Sequence, residues 1–260
     1  MDMQGHRALV TGAAGYLGRI IADTLGELGC DLILLDRSNQ NLNLIAEELR
    51  SRWGIVVQVV SCDLEIASDR AELIHTVIND DKPLHALINN AAFVGSSELN
   101  GWAVPFEQQG LDAWGRAIEV NLTAIFDLCQ GLSPKLKASE NATIINIGSI
   151  YGEFGPDWTL YEGTTMANPA AYAASKGGLL QLTRWLATTL SPQVRVNAIS
   201  PGGIERGQSS LFVDRYESRT PLRRMAREDD FRGAIAYLAT KMSSYVTGQN
   251  LRVDGGWGIW

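Results

Sequence analysis

Regular alternation of strand-like and helical segments predicts an α/β fold, a doubly wound seven-stranded parallel sheet in a single domain spanning 1–260. Apolar runs of strand character end near Thr11, Asp36, Cys62, Asn89, Gly148 and Ser200, with a last one around 250–254. Helical periodicity separates them at 16–28, 40–53, 66–79, 111–132, 171–190 and 228–240. The runs LILL, IVVQVV and TIINI are apolar at successive positions, as expected when helices cover both faces of a sheet. Such alternation implies parallel strands joined by right-handed crossovers, with ligands at the carboxyl ends of the strands.

The first unit is the most informative. HRALVTGAAGYLGRIIADTLGELG passes from a short strand through Gly12, Gly15 and Gly18 into a helix whose apolar stripe is Leu17, Ile20, Ile21, Leu25 and Leu28. Strand, glycine turn and helix N-terminus make a phosphate cradle. Gly12 allows the tight turn, Gly15 lets backbone approach a pyrophosphate, and Gly18 lets helix pack on strand. The second strand, CDLILLD, ends in Asp36, where a carboxylate can bind both ribose hydroxyls of an adenosine half. A carboxylate there repels a 2′-phosphate, so NAD(H) is expected over NADP(H). Ala13 and Ala14 add no cation to the loop; Arg37 is the dissenting neighbour, able to turn onto a 2′-phosphate.

Farther along, Tyr172 and Lys176 lie four residues apart in a helical stretch, with Ser149 at the end of TIINIGS. That spacing places phenol and ammonium on one helix face. A fixed cation favours the phenolate, lowering a pKa that starts near ~10 towards one that passes protons at neutral pH. On spacing alone, a helix-surface pair is the better reading, and the rest of the chain decides against it.

TGAAGYLG at 11–18, Asp63 in SCDL, NNAA at 89–92, Asn121 in EVNLTA, Ser149, YAASK at 172–176 and PGG at 201–203 resemble the short-chain dehydrogenase/reductase family. The order and approximate spacing are those of its single-domain subfamily, over almost the whole chain, and the ending YVTGQNLRVDGG agrees. The resemblance implies an oxidoreductase that interconverts a secondary alcohol and a ketone. It makes Tyr172 the general acid/base and Lys176 the group that lowers its pKa and holds the nicotinamide ribose. Ser149 would bond the substrate oxygen, and Asn121 would anchor a water behind Lys176. Cofactor contacts would come from Gly12, Gly15, Tyr16, Leu17 and Gly18, then Asp36 and Arg37. Cys62, Asp63 and Leu64 would follow, Asp63 taking the adenine amine. Asn89, Asn90, Ala91 and Ala92 would line the adenine–ribose slot, and Pro201, Gly202, Gly203 and Ile204 the nicotinamide end beside Tyr172 and Lys176.

Three features depart from the family pattern. Tyr16 stands where the middle glycine is commonest, and the resulting Gly-x-x-Gly-x-x-Gly resembles the longer, sugar-nucleotide-modifying branch. Ser149 and Tyr172 are 23 residues apart, a long gap holding Phe154, Trp158, Tyr161 and Met166. With a second long segment at 93–109, the insertion at 152–169 is expected to overhang the nicotinamide end. There Trp158 would serve as a substrate wall, although an oligomer contact fits as well. Finally, IERG follows PGG without the usual threonine, and residues 206–232 hold seven arginines. The family's substrate loop belongs at 204–225, where Arg206 could grip a substrate phosphate or carboxylate. The interleaved acids favour the other reading, a solvated helix face with salt bridges.

A net charge of −7 argues against nucleic acid or an anionic membrane surface as partner. No apolar run approaches the ~20 residues of a membrane span, and no leader-like segment precedes HRALVTG. Cys30, Cys62 and Cys129 read as reduced core thiols of a cytoplasmic protein, and three histidines without ligand spacing give no metal site. By resemblance the assembly is a homotetramer or homodimer built on helices 111–132 and 171–190. Trp257 and Trp260 suggest a buried tail. LYEGTTMANPAAYAASKGGL and PGGIERGQ resemble bacterial members linked to flagellin-glycan or surface-sugar biosynthesis, which points to a sugar or polyol substrate. Two other functions remain open: a sugar dehydratase or epimerase that retains its NAD, and a non-catalytic NAD-binding scaffold.

Overall fold

The computed structural model describes residues 2–94 and 99–260. Seven strands, β1 (Arg7–Thr11), β2 (Asp31–Asp36), β3 (Val57–Ser61), β4 (Ala86–Asn89), β5 (Ala142–Ile147), β6 (Val194–Pro201) and β7 (Asn250–Val253), form one sheet. Its order is β3-β2-β1-β4-β5-β6-β7. Every neighbouring pair is parallel, with Val10 opposite Leu34 and Ile88 opposite Ile145. All carboxyl ends therefore share one edge. Strand order reverses between β1 and β4, which opens a crevice there.

Adjacent strand residues point to opposite faces, and both faces are covered. Val10, Leu34 and Ile88 pack under helices α1 (Tyr16–Glu27), α2 (Asn39–Trp53) and α8 (Arg232–Ala239), numbered in chain order. Leu9, Ile33 and Leu87 pack on the other side under α3 (Ala67–Asn79), α5 (Ala124–Lys137) and α6 (Ala170–Leu190). This explains the unbroken apolar runs of the central strands. β3 differs: it is an edge strand, and Gln58 and Ser61 face solvent, so IVVQVV is not buried on both sides.

Three elements depart from the sequence expectation. The helix expected over 111–132 is α4 (Leu111–Ile118), a π-turn at Glu119–Thr123, and then α5. Within 204–225 lies a helix, α7 (Ser210–Arg219), whose Phe212 and Tyr216 are buried. The 152–169 segment folds back on α7 and the chain end to form a separate core of Ile150, Leu160, Phe212, Tyr216, Met225 and Trp257. There Tyr216 stacks on Trp257 at 6.1 Å, the Arg219 guanidinium lies 4.4 Å from the Trp257 ring, and Tyr151 and Tyr161 hydroxyls meet at 2.5 Å. Most aromatic residues of the insertion are thus spent on packing. The tail is half as expected: Trp257 is 1% exposed, whereas Trp260 is 70% exposed, its indole N–H donating to Arg219 O. Of the 93–109 segment, residues 95–98 lie outside the described residues; Trp102 is buried, edge-on to Phe93, and donates to Val94 O.

Truncating the buried indole should be costly. Trp257→Ala is expected to lower unfolding free energy by about 3–5 kcal/mol in urea titration, while Trp260→Ala stays within ~0.5 kcal/mol of wild type. Equal effects would contradict this placement.

Candidate active site

A cavity of about 760 Å³ runs along the carboxyl edge of the sheet, from Asp36 and Arg37 past the start of α1 to Ser149, Tyr172 and Lys176. The turn from β1 into α1 forms its centre. Gly12 has φ +64°, and a Cβ there would lie 2.8 Å from Ala91 Cα. A Cβ on Gly18 would collide with Gly12 O and Ala13 Cα. Gly15, at the N-cap of α1 with extended backbone, would meet only Gly12 O, at 3.3 Å. Its missing side chain leaves space on the cavity side, and no side chain caps the helix N-terminus. Uncapped N–H groups with open space before them form an anion cradle.

The loops on either side are tied to this turn. Thr11 Oγ1 accepts from the Asn90 and Ala91 N–H groups, both at 3.0 Å. Asn90 Nδ2 donates to Thr11 O and Gly12 O at 2.9 and 3.0 Å. Asn90 therefore braces the glycine turn as well as lining the cavity. Asp36 Oδ2 accepts from Ala14 N–H at 3.0 Å and Oδ1 from Arg37 N–H at 2.8 Å, which fixes the carboxylate at the cavity's far end. Gly12, Gly15, Tyr16, Leu17, Gly18, Cys62, Asp63, Leu64, Ala91 and Ala92 line the same space, as do Pro201, Gly202 and Ile204. The dimensions and donor set fit a dinucleotide, its pyrophosphate at α1 and a ribose at Asp36.

Two expected contacts lie elsewhere. Gly203 turns away from the cavity: its N–H donates to Tyr216 Oη at 2.6 Å, and a Cβ would strike the Tyr216 ring. Asn89 is buried within the sheet, where its amide donates to Asn146 Oδ1 at 2.8 Å.

At the reactive end, α6 presents Tyr172 and Lys176 from one face, and Ser149 follows β5. The Ser149 hydroxyl accepts from Tyr151 N–H at 3.2 Å, which leaves its own proton to donate. Lys176 Nζ donates to Ile147 O at 2.8 Å and stands 5.8 Å from the centre of the Tyr172 ring. Burial dominates both titrations. The Tyr172 phenol is raised above its ordinary value by burial, against a lowering hydrogen bond from Ser149 and the positive charge of Arg206. Burial also pulls the Lys176 ammonium down to about 8. In this structure the ammonium is engaged by the Ile147 carbonyl, and the net direction of the phenol is upward, with burial the leading cause.

Asn121 sits in the π-turn, fully buried. Its Oδ1 accepts from Phe93 N–H at 2.6 Å, and Nδ2 donates to Phe93 O at 3.1 Å and Ser175 Oγ at 3.0 Å. Trp158 does not reach this cavity. It lines a second one, of about 660 Å³, between the two insertions, with Phe106, Gln109 and Asn168. Arg206 does reach the first, although its Nε donates to Glu228 at 3.0 Å. Other arginines of 206–232 form ion pairs, Arg219 with Asp157, Arg224 with Asp230, and Arg232 with Asp23 and Asp229. Arg116 and Glu65, paired at 2.6 Å, and Val120, Phe93 and Gln208 line the cavity without having been singled out. Arg116 and Glu65 are 51 residues apart in sequence, and no local pattern signals their meeting.

A family model described as enoyl-(acyl carrier protein) reductase matches residues 12–258. The chain belongs to the short-chain dehydrogenase/reductase family. Among relatives, it is similar to the 3-oxoacyl-(acyl-carrier-protein) reductase of Thermotoga maritima, 29% identical over 98% of this chain and 99% of that one. Post-translational flagellin modification protein A of Campylobacter coli is 28% identical over 96% and 97%. Among solved structures, NAD+-bound xylitol dehydrogenase gives a TM-score of 0.86 at 27% identity, covering 98% of this chain and 100% of that one. A gluconate 5-dehydrogenase from Burkholderia cenocepacia, in complex with NADP and tartrate, gives 0.86 at 26% over 100% and 97%. Both of these solved structures hold a nicotinamide cofactor. Among the described residues, no helix is long and apolar enough to cross a membrane, and no His, Cys, Asp and Glu cluster could hold a metal.

The buried ammonium has a consequence for stability. An unfolded lysine keeps its proton to about 10.4. Between pH 8 and that value the unfolded chain binds more protons than the folded one, so stability rises with pH. In thermal melts from pH 7 to 10, wild type should gain on Lys176→Met above pH 8. A constant difference across the range would contradict the depressed value.

Proposed function

We propose that this short-chain dehydrogenase/reductase interconverts a secondary alcohol and a ketone, prefers NAD(H), and takes a sugar or polyol derivative as substrate. The observation that carries the reading is that Ser149, Tyr172 and Lys176 line the same cavity as the glycine turn and Asp36. Bound nicotinamide supplies or accepts the hydride. The chain's own residues manage the oxygen. Ser149 donates a hydrogen bond to it, and Tyr172 gives up or takes its proton. Lys176 holds the ribose and, drawn from Ile147 O, brings positive charge to the phenol. Asn121 fixes Phe93 and Ser175 around them as a positioning residue.

Asp36 supports NAD(H), because its fixed carboxylate faces the position a 2′-phosphate would take. The sugar or polyol class draws on the likeness to xylitol and gluconate dehydrogenases and to the flagellin modification protein. Assembly as a homodimer or homotetramer is supported by Leu111, Trp114, Phe126 and Trp185, large apolar groups left exposed on α4, α5 and α6. The cytoplasm is the compartment that suits three free thiols.

Cofactor turnover followed by nicotinamide absorbance, against a panel of polyols, sugars, sugar acids and acyl thioesters, tests the substrate class. Tyr172→Phe should lower kcat by about 10²–10⁴-fold with NADH affinity near wild type; full turnover would remove the assigned role. Asp36→Ala should raise the ratio of NADPH to NADH turnover, and an unchanged ratio would overturn the cofactor preference.

A further inference from the structure

Tyr16 and Arg206, separate departures from the family pattern in sequence, meet in space. Tyr16 is the first residue of α1, and Arg206 follows the turn after β6, two strands beyond β4 in the sheet. The Arg206 guanidinium lies over the Tyr16 ring, 5.0 Å from its centre. Both residues line the long cavity, and Tyr16 does so at the uncapped N-terminus of α1. Tyr16 is 70% exposed, so core packing does not explain its bulk. The first turn of α1 holds no acid to occupy its N–H groups. The guanidinium's ionic partner is Glu228, a carboxylate also partly open to solvent.

We propose that Arg206 and Tyr16 form a clasp on the cofactor's pyrophosphate, the guanidinium exchanging Glu228 for a phosphate oxygen when the dinucleotide is bound. This rests on the dinucleotide reading of the cavity. A guanidinium presents paired N–H donors that match phosphate oxygens, and its planar face stacks on an aromatic ring at the same time. The ring holds the cation above α1, where backbone N–H groups approach the same anion from the other side. The two departures thus meet at one place: an aromatic ring stands where a glycine is commonest, and the cation lying over it comes from the segment that lacks the usual threonine. Because the positive charge of Arg206 also reaches Tyr172, a grip on a substrate anion is the competing outcome of the binding test.

Equilibrium binding of NADH by its fluorescence, and of ADP-ribose and adenosine by competition, tests the clasp without catalysis. Arg206→Ala should weaken NADH and ADP-ribose alike, by about tenfold, and leave adenosine unchanged. Arg206→Lys should recover part of the loss, and Tyr16→Ala should fall between. Glu228→Gln should tighten NADH, because the competing carboxylate charge is gone; circular dichroism melts confirm that each variant is folded. Wild-type affinity for both NADH and ADP-ribose in Arg206→Ala would end the clasp. So would a defect confined to substrate KM, which would place the guanidinium on substrate, or Glu228→Gln binding no tighter than wild type. Wild-type protein that binds neither NADH nor ADP-ribose would sink the dinucleotide reading itself, and the clasp with it.

Discussion

One buried amide holds the reactive end of the molecule together. Asn121 bonds both backbone groups of Phe93, beyond β4, and the hydroxyl of Ser175 on α6, which in turn donates to Tyr172 O at 2.8 Å. Three separate chain segments thereby take fixed positions around Tyr172 and Lys176. A helix interior would have left that amide among its own backbone. The π-turn widens the helix at this point and aims the side chain across to Phe93. Every donor and acceptor of the amide is satisfied inside the protein, which makes a buried polar network rigid instead of costly.

The same edge of the sheet carries a balance of charge. Lys176 is buried beside a carbonyl, Asp36 is held by two backbone N–H groups, and α1 points uncapped N–H groups into the space between. A cation at one end, a carboxylate at the other and an anion cradle in the middle match the order ribose, pyrophosphate, ribose along a dinucleotide. Burial is the leading influence on both titrating groups at this end, raising the phenol and lowering the ammonium. Bringing Lys176 off Ile147 O and onto a ribose is the adjustment that would let it act on Tyr172.

Much of this was legible in the chain because local patterns encode it. Alternating periodicity gave the sheet and its layers, and Gly12 and Gly18 stand where a Cβ would meet backbone. Tyr172 and Lys176 share a face because of helical spacing alone. The rest depends on contacts between distant segments. Nothing near residues 119–123 announces a π-turn, and only the fold shows that α7 gathers Phe212 and Tyr216 onto Trp257. Trp158 and Phe154 look alike as exposed-segment aromatics, yet one rims a second cavity and the other packs against the tail. Gly203 sits in a recognisable motif, but the Tyr216 hydroxyl that claims its N–H comes from the unforeseen helix.

The chemistry at this edge depends on how a dinucleotide lies along it. A crystal structure of the NADH complex should show the adenosine ribose hydroxyls on Asp36, the pyrophosphate at the start of α1, and the nicotinamide ring between Ser149 and Tyr172, with Lys176 on its ribose. A dinucleotide bound in the reverse sense, or outside this cavity with Lys176 still held by Ile147 O, would contradict it.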